Sequence, residues 1–304
     1  MKDILSAPHF RNDEAARTYL ESVLWPSGPV CPHCGVINHA YETKRPGLFR
    51  CAEKVCRKDF TVTTKTVMER SHIALHKWLR GFYLMASSKK GMSAHQVHRS
   101  LGITYRSAWF MWHRIREAMR SGGLAPMGGT GGVVEIDETF IGRRSDVPMA
   151  TRGGWHKNPV LTLVERGGAA RSFHVDSTRR RDLIPIIRAN IAAETHLVTD
   201  EAVRYARLSD DFAKHDAVDH ARGEYGYTDR ATGMKINTNT VEGYYSIFKR
   251  GMKGVYQHCN ERHLHRYLAE FDFRYSNRVA LGVDDVERAD RAVAGAAGKR
   301  LIYQ

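Results

Sequence analysis

Val133-Val134-Glu135-Ile136-Asp137-Glu138-Thr139-Phe140 predicts a β-strand carrying a carboxylate, Asp137, among apolar residues. A carboxylate in that position is costly to bury unless it is paired or bound to metal. Downstream, Pro159 to Glu165 and Ala170 to Val175 read as the next two strands. Residues 179 to 193 suit a helix whose apolar positions are Leu183, Ile184, Ile187 and Ile191. His196 to Thr199 is a short buried-type strand ending at Asp200, and Ala217 to Asp219 a fifth. Helices follow over 239–251 and 261–277. The order β-β-β-α-β-α-β-α predicts a mixed α/β sheet, three antiparallel strands and then crossovers.

Asp200, just past an apolar strand, stands where open α/β sheets place ligand groups. Glu242 lies near the start of a helix, after Asn239-Thr240. Asp137, Asp200 and Glu242 are therefore a candidate set for two Mg²⁺ or Mn²⁺ ions, the arrangement that clamps an in-line phosphoryl displacement. Spacing alone leaves Glu138, Glu201, Asp219 and Glu224 as competitors. Lys249 follows Glu242 by almost two helical turns, so both face one way, roughly 10 Å apart along the axis. A metal-holding carboxylate and a phosphate-seeking cation on one helical face suit DNA lying along that helix.

Upstream, residues 121 to 132 are Gly-rich and lack the Lys-Ser or Lys-Thr of a phosphate cradle, so they read as a linker. Before them, Ser93 can cap a helix holding Val97 and Leu101, and Gly102-Ile103-Thr104 forms a turn. A longer helix then holds Ala108, Met111, Trp112, Ile115 and Met119. This is the helix-turn-helix pattern, whose second helix presents its first turns to base edges. Here those turns carry Tyr105, Arg106, Ser107 and His113, with Arg114 and Arg116 beyond. An ordinary helical hairpin shares the pattern. Two more helices are expected, over 11–24 and 72–86.

Cys31-Pro32-His33-Cys34-Gly35 and the pair Cys51 and Cys56 supply four thiolates. A tight knuckle lets two thiolates share one ion, and a second pair completes a tetrahedral site. Soft thiolates select zinc or an iron–sulfur cluster. The strand-like flanks Leu48-Phe49-Arg50 and Phe60-Thr61-Val62 favour one structural zinc in a ribbon. The bland alternative is a set of buried or redox cysteines; Cys259 is left over.

These segments together resemble the bacterial insertion-sequence transposases of the ISXO-two-like group, over roughly residues 10 to 280. The resemblance is carried by W-P-S-G-P-V-C-P-H-C-G, T-V-M-E-R-S-H-I-A-L-H-K-W-L, V-V-E-I-D-E-T-F-I-G-R-R and V-T-D-E-A-V-R-Y. N-T-N-T-V-E-G-Y-Y-S-I-F-K-R-G-M-K-G-V-Y-Q-H and H-L-H-R-Y-L-A-E-F-D-F-R-Y-S-N-R carry it further. It implies an RNase H-like catalytic domain with a DDE-type triad on Asp137, Asp200 and Glu242. Lys249 stands at the family's lysine position, and Asn239, one turn before the glutamate, is an alternative or supporting metal ligand. Tyr275-Ser276-Asn277-Arg278 departs from the family's Tyr-Asn-x-Arg.

The expected organisation is multidomain: an N-terminal helix and zinc ribbon (1–66), a helix-turn-helix region (67–120), a linker (121–132), an RNase H-like domain (133–280) and a tail (281–304). The chain has 304 residues and a net charge of +14, which points to a polyanionic partner, nucleic acid first. No apolar run approaches the roughly 20 residues that span a bilayer. Met1-Lys2-Asp3-Ile4-Leu5 shows no signal peptide, so a cytoplasmic, nucleoid-associated protein is expected. Arg143, Arg144, Lys249, Arg250 and Lys253 are candidates for phosphate contact, although Arg143 and Arg144 could equally be solvated charge. The implied activity is to bind inverted-repeat ends, expose a 3′-hydroxyl and join it to target DNA. Pairing two ends implies a homodimer or larger assembly. The rival readings are a transcription regulator with the same N-terminal modules, and an RNase H-like nuclease without joining.

Overall fold

The computed structural model describes residues 3–145, 147–149, 154–200, 203–219 and 226–301. Glu201 and Glu224 lie outside the described residues. The chain divides into two compact units, Met1–Ser121 with Val283–Gln304, and Gly122–Gly282.

In the first unit, α1 (Asp13–Leu24) starts at Asn12, whose side chain accepts from the Glu14 and Ala15 N–H groups. A three-stranded antiparallel sheet follows: β1 (Ala40–Glu42), β2 (Phe49–Cys51) and β3 (Asp59–Phe60). Then come α2 (Leu75–Ser87), α3 (Ala94–Leu101) and α4 (Tyr105–Met119). Ser93 caps α3, Thr104 caps α4, and Gly102 between them is left-handed at φ +57°. Short polar side chains satisfy the free N–H groups at a helix start, and glycine accepts positive φ without a Cβ clash.

The last segment is a correction. Residues 281–304, expected as a tail, contain α8 (Asp285–Ala294), which packs against α2 and α4. Its apolar face, Ala289, Ala292 and Val293, is buried. The Arg288 guanidinium donates to the Ala86 carbonyl, and the Tyr19 hydroxyl donates to Asp290 at 2.5 Å. Gly295 marks how close this packing is: a Cβ there would lie 2.4 Å from the Ala118 carbonyl oxygen. A backbone atom cannot give way as a side chain can. Gly295→Ala is expected to cost about 1–3 kcal/mol, read as a lowered melting temperature. An unchanged value would mean that α8 does not dock on α4 in solution.

The second unit is a five-stranded mixed sheet in the order β6-β5-β4-β7-β8. Its strands are β4 (Val133–Ile141), β5 (Asn158–Glu165), β6 (Ala170–His174), β7 (His196–Asp200) and β8 (Lys214–Val218). The first three are antiparallel, and β7 and β8 join in parallel. One face packs Val134, Ile136 and Leu161 against Leu183 and Ile187 of α5 (Arg180–Asn190). The other packs Val160 and Val164 against α6 (Asn239–Gly251) and α7 (Leu264–Ser276).

Two further expectations change. Between β7 and β8, where a helix was expected, the described residues form two 3₁₀ turns, Val203–Tyr205 and Leu208–Asp210. The Tyr205 and Arg204 side chains there are tied to Glu138, which holds the connection against the sheet end. The second half of the glycine run is packed rather than free. Met127 is buried and pairs with Ile191, and a Cβ on Gly128 would meet the Thr195 side chain. A short hairpin, β9 (Tyr227–Thr228) with β10 (Lys235–Ile236), precedes α6. No helix among the described residues is long and apolar enough to cross a membrane.

Candidate functional site

β4 and β7 run parallel with Glu135 opposite Val198. Continuing that register by two residues sets Asp137 level with Asp200. Strand alternation sends Asp137 to the same face as Val133 and Glu135, and Asp200 to the face of Val198. Val133 and Val198 belong to one apolar cluster, so both carboxylates emerge on the α6 side of the sheet.

Asp137, Glu138 and Asp200 each offer a carboxylate oxygen, and these atoms lie within 4.8 Å of one another. Burial, followed by the charges of Asp200 and Glu242, pushes the Asp137 carboxyl up to about 6. Lys249 opposes this shift, so Glu242 and Lys249 both lie within electrostatic reach of Asp137. Glu138 is pushed up to about 7, again chiefly by burial, against a Tyr205 hydrogen bond and the Arg204 charge. Arg204 lies 2.8 Å from Glu138 and 3.4 Å from Asp200. Asp200 Oδ1 is buried and accepts no hydrogen bond from the described residues. Hard oxygen donors crowded at this spacing, with a buried oxygen left over, fit Mg²⁺ or Mn²⁺.

Glu242, the third expected carboxylate, stands outside that tight group. Its Oε1 accepts from the Thr238 hydroxyl at 2.9 Å, in the first turn of α6. What aims α6 at the sheet is Glu135, a residue the sequence reading passed over. Its buried carboxylate accepts from the Thr240 N–H (2.7 Å), the Val241 N–H (2.9 Å) and the Thr240 hydroxyl (2.7 Å). Arg166 donates to it at 2.7 Å, and to the Lys235 and Asn237 carbonyls. A carboxylate at a helix N-terminus satisfies free donors and favours the helix dipole. One turn on from Glu242, the Tyr245 hydroxyl donates to the Asp137 carbonyl at 2.7 Å. Asn239 is exposed and makes no hydrogen bond to the carboxylates.

The candidate phosphate-contact residues differ in setting. The Lys249 ammonium lies 5.5 Å from the Tyr245 ring centroid, on the carboxylate side. Arg143, Arg250 and Lys253 are exposed, and Arg250 bonds back to Ser246. Arg144 is half-buried and donates to the Asp176 carbonyl. On α4, Tyr105 and Arg106 are exposed, with the Tyr105 ring stacked on His95. Ser107 is engaged with Thr104 in the helix cap. His113, expected to face DNA, is instead buried and packs edge-on against Trp109. Arg114 and Arg116 are buried too, and Arg114 donates to the Val67 and Glu69 carbonyls. From Met111 to Arg116 every residue of α4 is buried, so the helix is enclosed on all sides there and these side chains have no open face to turn to.

The four N-terminal cysteines converge. Sγ of Cys31 lies 3.8 Å from that of Cys56, and Sγ of Cys34 lies 3.6 Å from that of Cys51. A tetrahedral zinc with bonds of about 2.3 Å sets its sulfurs about 3.8 Å apart, whereas a disulfide needs about 2.05 Å. The set therefore fits one zinc. Gly35 (φ +80°) and Arg57 (φ +50°) each follow the second cysteine of a pair in the left-handed region, so both knuckles turn alike. Trp25, Phe49 and Phe60 pack beside the sulfurs.

Both regions have counterparts among known proteins. Residues 130–276 match the family described as the ISXO2-like transposase domain. Residues 11–59 match the transposase zinc-ribbon domain. The chain is similar to an uncharacterized protein in transposable element ISH50 of Halobacterium salinarum. The two are 27% identical over 285 residues, spanning 87% of this chain and 91% of that relative.

Proposed function

We propose, from the premise that this chain belongs to the ISXO2-like transposases, that it cuts DNA at the ends of its element and joins the freed 3′-hydroxyl to target DNA. The observation that carries this reading is the pairing of Asp137 with Asp200 on adjacent parallel strands, under a helix that brings Glu242 and Lys249 to the same face. The sheet order and the parallel addition of β7 and β8 support an RNase H-like domain.

Asp137, Asp200 and Glu242 would hold two Mg²⁺ or Mn²⁺ ions, with Glu138 close enough to serve as a further ligand. Such ions, when bound, activate water and neutralise charge building on the phosphoryl oxygens. Glu135 and Arg166 keep the start of α6 against β4, which holds Glu242 near the pair on the sheet. Lys249 would bind a phosphate of the cleaved strand, and Tyr245 fixes the helix turn between these two residues. Arg143, Arg250 and Lys253 would add backbone contacts. The α3–α4 pair supports a helix-turn-helix, with Tyr105 and Arg106 at the base edges and His113 withdrawn into the core. Joining two ends calls for at least a dimer on DNA.

The test is a Mg²⁺-dependent strand-transfer assay on duplexes carrying the element ends. A transposase cuts and joins, a nuclease only cuts, and a regulator does neither. Lys249→Ala should slow joining about tenfold and lower the salt slope of binding by about one. Lys249→Arg should recover part of this, because charge returns with a different head geometry. Full joining and an unaltered slope in Lys249→Ala would remove Lys249 from the site.

A further inference from the structure

The first unit holds a cleft of about 360 Å³ between the cysteine ribbon and the helices. Arg17 of α1, Arg45 of the β1–β2 hairpin, and Arg70 and His72 ahead of α2 line it. Its volume lies in the range of small-ligand clefts.

Three features give the cleft the chemistry of an anion site. The first is its charge balance. Asp13, the one carboxylate among its described lining residues, is committed elsewhere. Asp13 accepts from the His76 backbone N–H at 3.1 Å and bonds the His76 ring at 2.5 Å, which caps α2. Among the described residues, the three guanidiniums meet one distant acid, Glu21, 3.9 Å from Arg17.

The second is how the cations are held. A Cβ on Gly47 would come within 2.5 Å of the Arg17 side chain, so glycine there lets the Arg17 stem lie against the hairpin. Arg70 sits in the left-handed region at φ +54°. A non-glycine residue keeps such a backbone only where its surroundings impose it, which is commoner at sites than elsewhere. The third is a donor beside the arginines. Ser71 Oγ accepts from the Ile73 N–H and from Trp78 Nε1, which leaves its O–H proton to donate.

We propose that this cleft binds a backbone phosphate of DNA. It would be a positioning contact independent of base sequence, made where the ribbon meets the helices and apart from the first turn of α4. Guanidinium forks match phosphate oxygens in pairs, whereas a mobile ammonium offers only a point charge. The inference rests on the DNA-binding reading of the chain, and the experiment separates the two.

Binding of the full chain to a fluorescent duplex of arbitrary sequence is followed by anisotropy across a salt series. Arg45→Ala with Arg70→Ala should weaken binding about tenfold near physiological salt and lower the salt slope by about two. Arg45→Lys with Arg70→Lys should restore the slope but only part of the affinity. Zinc content and melting temperature should match the wild type, since both side chains are exposed. Lys89→Ala with Lys90→Ala removes two exposed charges outside the cleft. An equal loss in that variant would overturn the proposal, because the effect would then be one of total charge. So would unchanged affinity and slope in the arginine variant. In a second arm, melting is compared in inorganic phosphate and in chloride of equal ionic strength. Phosphate protection that depends on Arg45 and Arg70, together with unaltered duplex binding, would assign the cleft to a free anion and overturn the DNA assignment. If the wild type shows no salt-dependent duplex binding, the functional reading fails first.

Discussion

Asp137→Asn is expected to lower Mg²⁺-dependent cleavage by at least about a thousandfold and, in the absence of metal, to raise the melting temperature. Both follow from one cause. The native site buries and crowds carboxylates to hold cations, and without the ions burial first, then repulsion from Asp200 and Glu242, penalises the charge on Asp137. The Asp137 carboxyl is pushed up to about 6, above its ordinary range near 4. Between those values the folded chain binds more protons than the unfolded chain, so stability falls as pH rises through the window and stays lowered above it. Asparagine carries no such cost. The melting difference between variant and wild type should therefore be small near pH 4 and widen toward pH 7. Saturating Mg²⁺ should narrow or reverse it by stabilising only the protein that binds the ion. Asp200→Asn should lose cleavage in the same way, while end binding persists in both. Wild-type cleavage in either variant would remove that residue from the site. A pH-independent melting difference would break the electrostatic account.

Removing zinc should have the largest structural effect. The ribbon is built from strands of two or three residues, and its core is Trp25, Phe49 and Phe60 around the sulfurs. So small a core cannot fold by burial alone, and structural zinc contributes an apparent ~10–16 kcal/mol in comparable small sites. Cys31→Ser with Cys34→Ser should lose the one equivalent of zinc and expose residues 25 to 60 to protease. The sheet unit should keep its own cooperative melting. Cys259 lies between α6 and α7 and should not affect zinc content. Retained stoichiometric zinc in the double variant would refute the assignment. Because bound thiolates must be deprotonated, acidification should release the metal.

Much of the architecture was legible because it rests on local rules. Asn12, Ser93 and Thr104 cap their helices as short polar residues do. The seven-residue spacing from Glu242 to Lys249 puts both on one helical face, whatever surrounds the helix. The cysteine spacings likewise anticipated four converging sulfurs, and the apolar run ending at Asp200 anticipated β7.

Tertiary structure decided what local pattern leaves open: which face of an element meets which partner. Arg114 and Arg116 look like DNA-facing charges in sequence, yet the middle of α4 is buried on all sides, and carbonyls distant in the chain receive Arg114. Glu135 carries no signal of its own in the sequence beyond its place in the strand. Only the approach of α6, more than a hundred residues later, makes it the cap of that helix. Glu138 points to the opposite side of β4 by alternation, yet the connection after β7 supplies Tyr205 and Arg204 to hold it near Asp137 and Asp200. The final segment is polar enough to read as a tail, and α2 and α4 provide the surface on which its one apolar stripe becomes a helix. Periods and caps are set by neighbours within a turn or two. Burial and charge pairing are set by residues that only the folded chain brings together.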